Sequence, residues 1–215
     1  MTTTQLTVYN IALRAVGERP LSSLSEDRDP RRSLDEVWNA GVGVVTTCLE
    51  QGLWNFAMRA VRIDYDSAST PSFGFTYAFT MPTDFVRLDS LSADENFNTP
   101  LEGYEVEAAK FYAETTPIYM RYVSNGNTYG SDLSLWPGSF TLWVGHWMAT
   151  QIAPRLKNDL DMDRLEKRTL TLLRDARSKD AQMERTRYKP LGAWSRSRYG
   201  GGRRGDRGPR GSLLS

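Results

Sequence analysis

The 215-residue chain contains one cysteine and one histidine, and each scarcity excludes a class of protein. With Cys48 alone, the chain can form neither an intrachain disulfide nor a cysteine-rich metal site, which favours folding in a reducing compartment. With His146 alone, a serine or cysteine relay would need partners far away in the sequence. We therefore expect no enzyme and no cofactor.

Long apolar runs are also missing. No stretch approaches the roughly 18 apolar residues that a membrane-spanning helix needs. The first five residues show no basic region followed by an apolar segment, as a secretory signal would. We therefore expect a soluble, untargeted protein that makes no direct contact with a membrane.

What the chain does contain is an uneven distribution of charge beneath a net charge of +1. Residues 185–215 include nine Lys or Arg and one acid, Asp206, so this segment is +8 and residues 1–184 are −7. A short segment with much charge and little apolar surface cannot offset its own ordering entropy, and such segments are usually interaction tails. The binding candidates in and around this basic arm are Arg185, Arg187, Lys189, Trp194, Arg196, Arg198, Tyr199, Arg203, Arg204, Arg207 and Arg210.

Two helices are predicted in the first quarter of the chain. Apolar residues at helical spacing indicate a first helix over residues 4–16, with Gly17 as its stop signal. A second helix is expected to begin at Asp29, which is followed by proline, and to end near Gln51 with Gly52 as its C-cap.

Two further helices are predicted in the last third of the chain. The third begins at the Trp136-Pro137 dipeptide and ends near Pro154. The fourth follows a cap at Asp159 or Asp161 and keeps a period of 3.6 residues as far as Met183.

The aspartates at the start of the fourth helix resemble the first ligands of a calcium-binding EF-hand loop. The sixth position of that loop, however, is Arg164 instead of glycine, and the twelfth is Leu170 instead of glutamate. We therefore interpret this segment as a helix N-terminus and expect no metal site.

Between the two helical pairs the apolar period changes to two, which is typical of strands. The predicted strands cover residues 60–65, 75–79, 85–88, 104–107, 110–113 and 118–123. The predicted fold class is α+β: a four-helix bundle with a small antiparallel β insertion and an extended basic C-terminal arm. The expected divisions are residues 1–52 and 136–188 for the two halves of the helical domain, 53–135 for the β insertion and 189–215 for the arm.

Five short sequence motifs occur one after another within residues 1–184. They are Ala12-Leu13-Arg14-Ala15-Val16-Gly17-Glu18 with Leu21 and Leu24; Leu49 to Trp54-Asn55-Phe56-Ala57; Tyr77-Ala78-Phe79 with Met81-Pro82-Thr83-Asp84-Phe85-Val86-Arg87; Pro117 to Arg121-Tyr122; and Trp136-Pro137. In this order the chain resembles the tail tubular protein A family, the head-to-tail adaptors or connectors of short-tailed bacteriophages.

The resemblance implies a structural virion protein with no catalytic residues. It implies a dodecameric ring between the portal protein and the tail nozzle protein, assembled in the host cytoplasm and placed at the head-tail junction, with the genomic DNA passing through its lumen during ejection. In such rings the helical part and a C-terminal arm typically face the portal, and the β part faces the next tail component. Residues 53–123 would then meet the nozzle, and the candidates for that contact are Phe73, Phe75, Tyr77 and Phe97.

The role of the basic arm is open to three interpretations, because its Gly/Arg-rich sequence is not among the motifs that resemble the family. It could bind an acidic surface of the portal, contact DNA without sequence preference as Arg/Gly-rich segments do, or remain solvated. The −7 body argues against DNA as the main partner, since an acidic lumen lets a genome slide without adhering. The alternative function is a nucleic-acid-binding accessory protein that uses the arm.

Trp54 is interpreted as a core residue. An aromatic residue just after a helix end more often anchors that helix than forms a contact patch, and we expect Trp54 to hold the second helix against the sheet.

Overall fold

The computed structural model describes residues 2–71, 74–156 and 161–183, which form five helices and two antiparallel sheets. The helices are α1 (Gln5–Val16), α2 (Asp29–Asn39), α3 (Gly43–Leu49), α4 (Gly138–Leu156) and α5 (Met162–Ala181). The strands are β1 (Met58–Ile63), β2 (Tyr77–Thr80), β3 (Phe85–Ser92), β4 (Tyr104–Glu107), β5 (Lys110–Ala113) and β6 (Ile118–Ser124). Short 3₁₀ turns occupy Asn55–Ala57 and Leu133–Leu135.

Local capping chemistry sets the ends of two helices. The Thr4 hydroxyl accepts a hydrogen bond from the backbone N–H of Thr7 at 3.3 Å, and Gly17 ends α1 in the left-handed conformation with φ of 77°. The Asp161 carboxylate accepts from the backbone N–H of Arg164 at 3.0 Å and begins α5. The predicted start and end of α1 are therefore confirmed to within one residue, and Asp161 is the cap of the two that were predicted.

The predicted four-helix bundle with a small β insertion is wrong, because the predicted second helix is two helices. Gly41 has φ of 57° and Gly43 has φ of 82°, values that side chains rarely adopt, and they interrupt the helix between Asn39 and Gly43. Val42, in the interruption, is 68% exposed. The predicted second helix ran through Gly41 to Gln51, but the backbone conformation of Gly41 ends the helical hydrogen bonding there.

The β part is also larger than a small insertion, because two three-stranded sheets enclose a core of their own. The first sheet has the strand order β1-β6-β3 and the second has the order β2-β5-β4. Their facing side chains form one buried cluster, which consists of Phe79, Leu91, Phe111, Ala113, Ile118, Met120 and Tyr122. All six predicted strands are present, but β1 lies two residues earlier than predicted, β2 begins two residues later and β3 extends four residues further, to Ser92. The predicted division of the chain into domains stays a prediction.

The helical core gathers residues from all five helices, and Trp54 lies at its centre with 1% of its surface exposed. Its ring lies 5.8 Å from that of Trp143 in a stacked arrangement and 4.7 Å from that of Phe140 in an edge-on arrangement. Its indole N–H donates to the Cys48 carbonyl oxygen at 3.3 Å. The core interpretation of Trp54 is confirmed, but its ring contacts are with α4 and with Phe56 in the following 3₁₀ turn, and not with the sheet.

The last turn of α5 is joined to the segment that leads into the sheets. Asp180 is 6% exposed, and its carboxylate accepts hydrogen bonds from the backbone N–H and the side-chain amide of Asn55, both at 3.0 Å. A third bond joins the Asn55 amide to the Asp180 carbonyl oxygen at 2.8 Å, and the same oxygen accepts from the Met183 N–H at 3.0 Å. The end of α5 therefore fixes where the chain leaves the helical core.

Replacement of Trp54 by alanine should lower the free energy of unfolding by about 3–5 kcal/mol, because it empties the centre of the helical core. Urea unfolding monitored by circular dichroism measures the change. The matched control is Tyr65→Ala, which removes a ring that is 50% exposed and should cost less than about 1 kcal/mol. Equal losses in the two variants would contradict the core assignment.

Candidate assembly site

The two side chains most able to carry nucleophilic chemistry are held in structural positions. The His146 Nδ1 atom lies 3.0 Å from the Leu142 carbonyl oxygen on the same helix, α4. Cys48 is 1% exposed, and burial raises the pKa of its thiol. Among the described residues, no three His, Cys, Asp or Glu side chains are grouped so that they could hold a metal ion.

Two further findings concern the described ranges. None of the helices in residues 2–71, 74–156 and 161–183 has the length and apolar character needed to span a membrane. A shallow depression of about 20 Å³ lies near the end of α5, with Trp54, Phe140, Ala176 and Met183 among the residues around it. That volume holds no more than one water molecule.

The predicted nozzle-facing residues lie in two separate parts of the β region. Phe75 precedes β2 and Tyr77 begins it; both are half-buried, and the Tyr77 ring lies 5.3 Å from that of Tyr65. Phe97 lies between β3 and β4, and within the described chain no ring contact joins it to Tyr77. Phe73 falls outside the described residues. Sequence analysis missed Tyr65, which pairs with Tyr77 and is half exposed.

The predicted portal-binding arm lies entirely outside the described residues. Its candidates there are Arg185, Arg187, Lys189, Trp194, Arg196, Arg198, Tyr199, Arg203, Arg204, Arg207 and Arg210. Their assignment stays a prediction.

The loop that carries Phe97 is organised by one carboxylate. Asp94 accepts hydrogen bonds from the Ser92 hydroxyl at 2.6 Å and from the backbone N–H groups of Thr99 at 2.7 Å and Asn98 at 3.1 Å. These bonds, the one from Ser92 first, lower the pKa of Asp94 to about 2. Phe97 takes a positive φ of 55° inside this loop. Hydrogen bonds therefore fix the conformation of this loop. The Ser92-Ala93-Asp94 motif that begins it is the sequence signal from which the turn could have been predicted.

A second carboxylate, Asp84, joins β1 and β6 to the turn before β3. Its oxygens accept hydrogen bonds from Arg59 at 2.7 Å, from the Tyr122 hydroxyl at 2.9 Å and from the Ser124 hydroxyl. Burial acts to raise the pKa of Asp84, but the bonds from Ser124, Arg59 and Tyr122 outweigh it and hold the pKa below its ordinary value. Asp84 belongs to the third of the five sequence motifs.

The loop after β6 extends this connection to the helical core. The Asn125 backbone N–H donates to the Asp84 carbonyl oxygen at 3.0 Å. At Gly130 the backbone passes so close to α3 that a Cβ atom would overlap the Leu49 side chain. The Trp136 indole donates to the Gly130 carbonyl oxygen at 2.8 Å, just before α4 begins. The first sheet is therefore tied to both α3 and α4.

One part of the β region is strongly acidic. Residues 88–120 contain seven acids and one lysine, so most of the −7 of residues 1–184 lies there. The acids are Asp89, Asp94, Glu95, Glu102, Glu105, Glu107 and Glu114. The one cation, Lys110, is held by Asp66 at 3.6 Å and donates to the Ser69 hydroxyl at 2.6 Å. Asp89 is mostly buried and pairs with Arg121 at 3.5 Å, whereas the five glutamates are exposed and give this region a negative surface potential.

Asp84→Ala should lower the free energy of unfolding by about 1–3 kcal/mol, because it leaves the Tyr122 and Ser124 hydroxyls without their acceptor. Since the pKa of Asp84 is lowered in the folded state, its contribution is complete above the ordinary carboxyl pKa and is lost as the pH falls through the folded value. Urea unfolding between pH 7 and pH 2 tests both statements. The variant should show a smaller loss of stability on acidification than the parent; parallel pH profiles would contradict the assignment.

Asp94→Ala should increase amide hydrogen exchange at Asn98 and Thr99 without unfolding the protein, because the carboxylate accepts from both N–H groups. In the parent, the same amides should stay protected above about pH 4 and lose protection as the pH falls toward 2. Hydrogen exchange with mass spectrometry measures both effects. The control is Glu95→Ala in the same loop, and unchanged exchange in Asp94→Ala would show that other contacts hold the loop.

Comparison with models of known protein families gives no match, and comparison with curated proteins gives no similar sequence.

Proposed function

We propose that this chain is a structural subunit of a ring that joins a portal to a tail nozzle at the head-tail junction of a short-tailed bacteriophage. The observation that carries the proposal is the order of the five sequence motifs, which resembles that of the tail tubular protein A family. The positions of these motifs in the fold support the proposal, because several of their residues connect the helices to the sheets.

Four residues of these motifs illustrate their structural role. Gly17 closes α1, and Trp54 fills the centre of the helical core. Asp84 joins two strands to the turn before β3, and the Trp136 indole bonds to the loop that ties the first sheet to α4. A resemblance that falls on such framework positions supports a shared architecture better than one confined to surface loops would.

In this proposal the two ends of the subunit meet different partners. The helical core and the arm face the portal, while the two sheets face the nozzle with the Phe97 loop, Phe75 and Tyr77. The acidic residues 88–120 suit a basic surface on the next tail component. Further copies complete a dodecameric ring, and the DNA passes through its lumen, where a body of −7 limits adhesion to phosphates.

A second candidate function rests on a different observation, the +8 charge of residues 185–215. That charge favours a nucleic-acid-binding accessory protein. The affinity for DNA would then fall steeply with salt, because each neutralised phosphate releases counterions. Attachment to a portal would keep a large apolar share and lose less affinity. Titration of the full chain with duplex DNA and with portal rings at 50 and 200 mM salt separates the two functions.

Removal of all residues after Tyr188 should leave a folded subunit, because α5 ends at Ala181, but should weaken attachment to portal rings. The loss should exceed about tenfold in affinity, since each charge-assisted hydrogen bond contributes roughly 1.5–3 kcal/mol. Circular dichroism checks the fold, and surface plasmon resonance with immobilised portal rings in 150 mM salt measures the attachment.

The matched control replaces residues 67–72 and 94–100 with Gly/Ser linkers of the same lengths. This variant should retain portal attachment and lose nozzle attachment. If the truncated and full-length proteins bind the portal equally well, the docking role of the arm is wrong. If neither binds the portal, the proposed function itself fails.

A further inference from the structure

The four outer edges of the two sheets are treated differently by the rest of the chain. At β2, the Ala78 carbonyl oxygen accepts a hydrogen bond from the Asp66 N–H at 2.7 Å, so a loop covers that edge. At β3, the Leu91 carbonyl oxygen accepts from the Leu101 N–H at 3.0 Å. In the described ranges, no backbone hydrogen bond covers the outer edge of β1 or of β4. Uncovered edges are templates for pairing with another strand.

The β4 edge has one apolar and one acidic face. Val106 lies in register with Phe111, which is itself paired with Phe79, so Val106 is on the face that covers the β core. Val106 is nevertheless 52% exposed, so this edge of the core face is left partly uncovered at β4. Glu105 and Glu107 alternate with Val106 and lie on the opposite face.

The β1 edge also has an apolar face, and its other face carries one exposed cation, Arg62, with the acid Asp64 just past the end of the strand. Val61 and Ile63 pack against the β core, and Arg62 between them points to the other face. The Arg62 side chain is 58% exposed and lies 2.9 Å from Asp64, which is also exposed. An exposed ion pair of this kind contributes little to stability, so Arg62 can exchange its partner at low cost.

We propose that β1 of one copy pairs with β4 of the next copy, so that the ring is joined by sheets continued across subunits. In this pairing Val106 is covered beside Val61, and Arg62 lies beside Glu105 and Glu107. The partner is a second copy of this chain, because the two open edges are complementary in both apolar face and charge. The inference rests on the proposed ring and adds the surface that closes it.

The charges also select the arrangement of the copies. Two β4 strands would place glutamates opposite one another, which is destabilising. Pairing of β4 with β1 avoids this, because it sets the exposed Arg62 beside the glutamates. Repeated head to tail, a β1–β4 contact gives a ring where the rotation between copies closes, and this is the arrangement that the proposed function requires.

Cysteine cross-linking of the full chain tests the contact directly. Arg62→Cys combined with Glu105→Cys, treated with a short bismaleimide at high protein concentration, should give a ladder of covalent multimers. Each single variant should stay monomeric on a denaturing gel, because Cys48 is buried and does not compete. The control pairs Glu105→Cys with Arg32→Cys on α2, whose side chain is also 58% exposed and ion-paired. No ladder, or equal ladders in both double variants, would overturn the proposal.

Charge reversal gives an independent test by sedimentation velocity in 100 mM salt. Glu105→Arg with Glu107→Arg, or Arg62→Glu alone, should weaken self-association by about tenfold or more, because like charges then face one another. The triple variant should recover association, whereas Arg32→Glu should leave it unchanged. If copies still assemble on portal rings while all variants associate as the parent does, the β1–β4 contact is wrong and the ring stands. If the parent forms no ring on the portal, the proposed function fails first.

Discussion

The carboxylate of Asp84 is the constraint on which the connection between the two cores depends. Its donors come from β1 and β6, and the backbone that carries it accepts from the loop that follows β6. That loop passes against α3 at Gly130 and holds Trp136 at the start of α4. A change at this one half-buried acceptor therefore affects the sheet, the loop and the helical core together.

Charge is distributed unevenly along the chain. The acids are concentrated in residues 88–120, around β4 and β5, and the largest excess of cations is in residues 185–215. Segments of opposite charge suit partners of opposite charge. The same reasoning links the proposed adaptor, which needs two distinct ends, to the proposed β1–β4 contact, which needs two distinct edges.

Features fixed by neighbours in the chain could be predicted from the sequence, and features fixed by distant partners could not. The ends of α1 follow from Thr4 and Gly17, and the strands follow from side-chain alternation. The break after α2 was missed because a single glycine such as Gly41 is tolerated in many helices and its φ is not visible in the sequence. The partners of Asp84 are 25 to 40 positions away, so no local pattern reveals them.

The central claim is that copies of this chain join head to tail into a closed ring, and electron microscopy of the purified full chain with portal rings tests it most directly. The account predicts closed rings of one size stacked on the portal, with density bridging neighbouring copies at the sheets. Two-fold dimers, open filaments or single copies bound separately around the portal would contradict it.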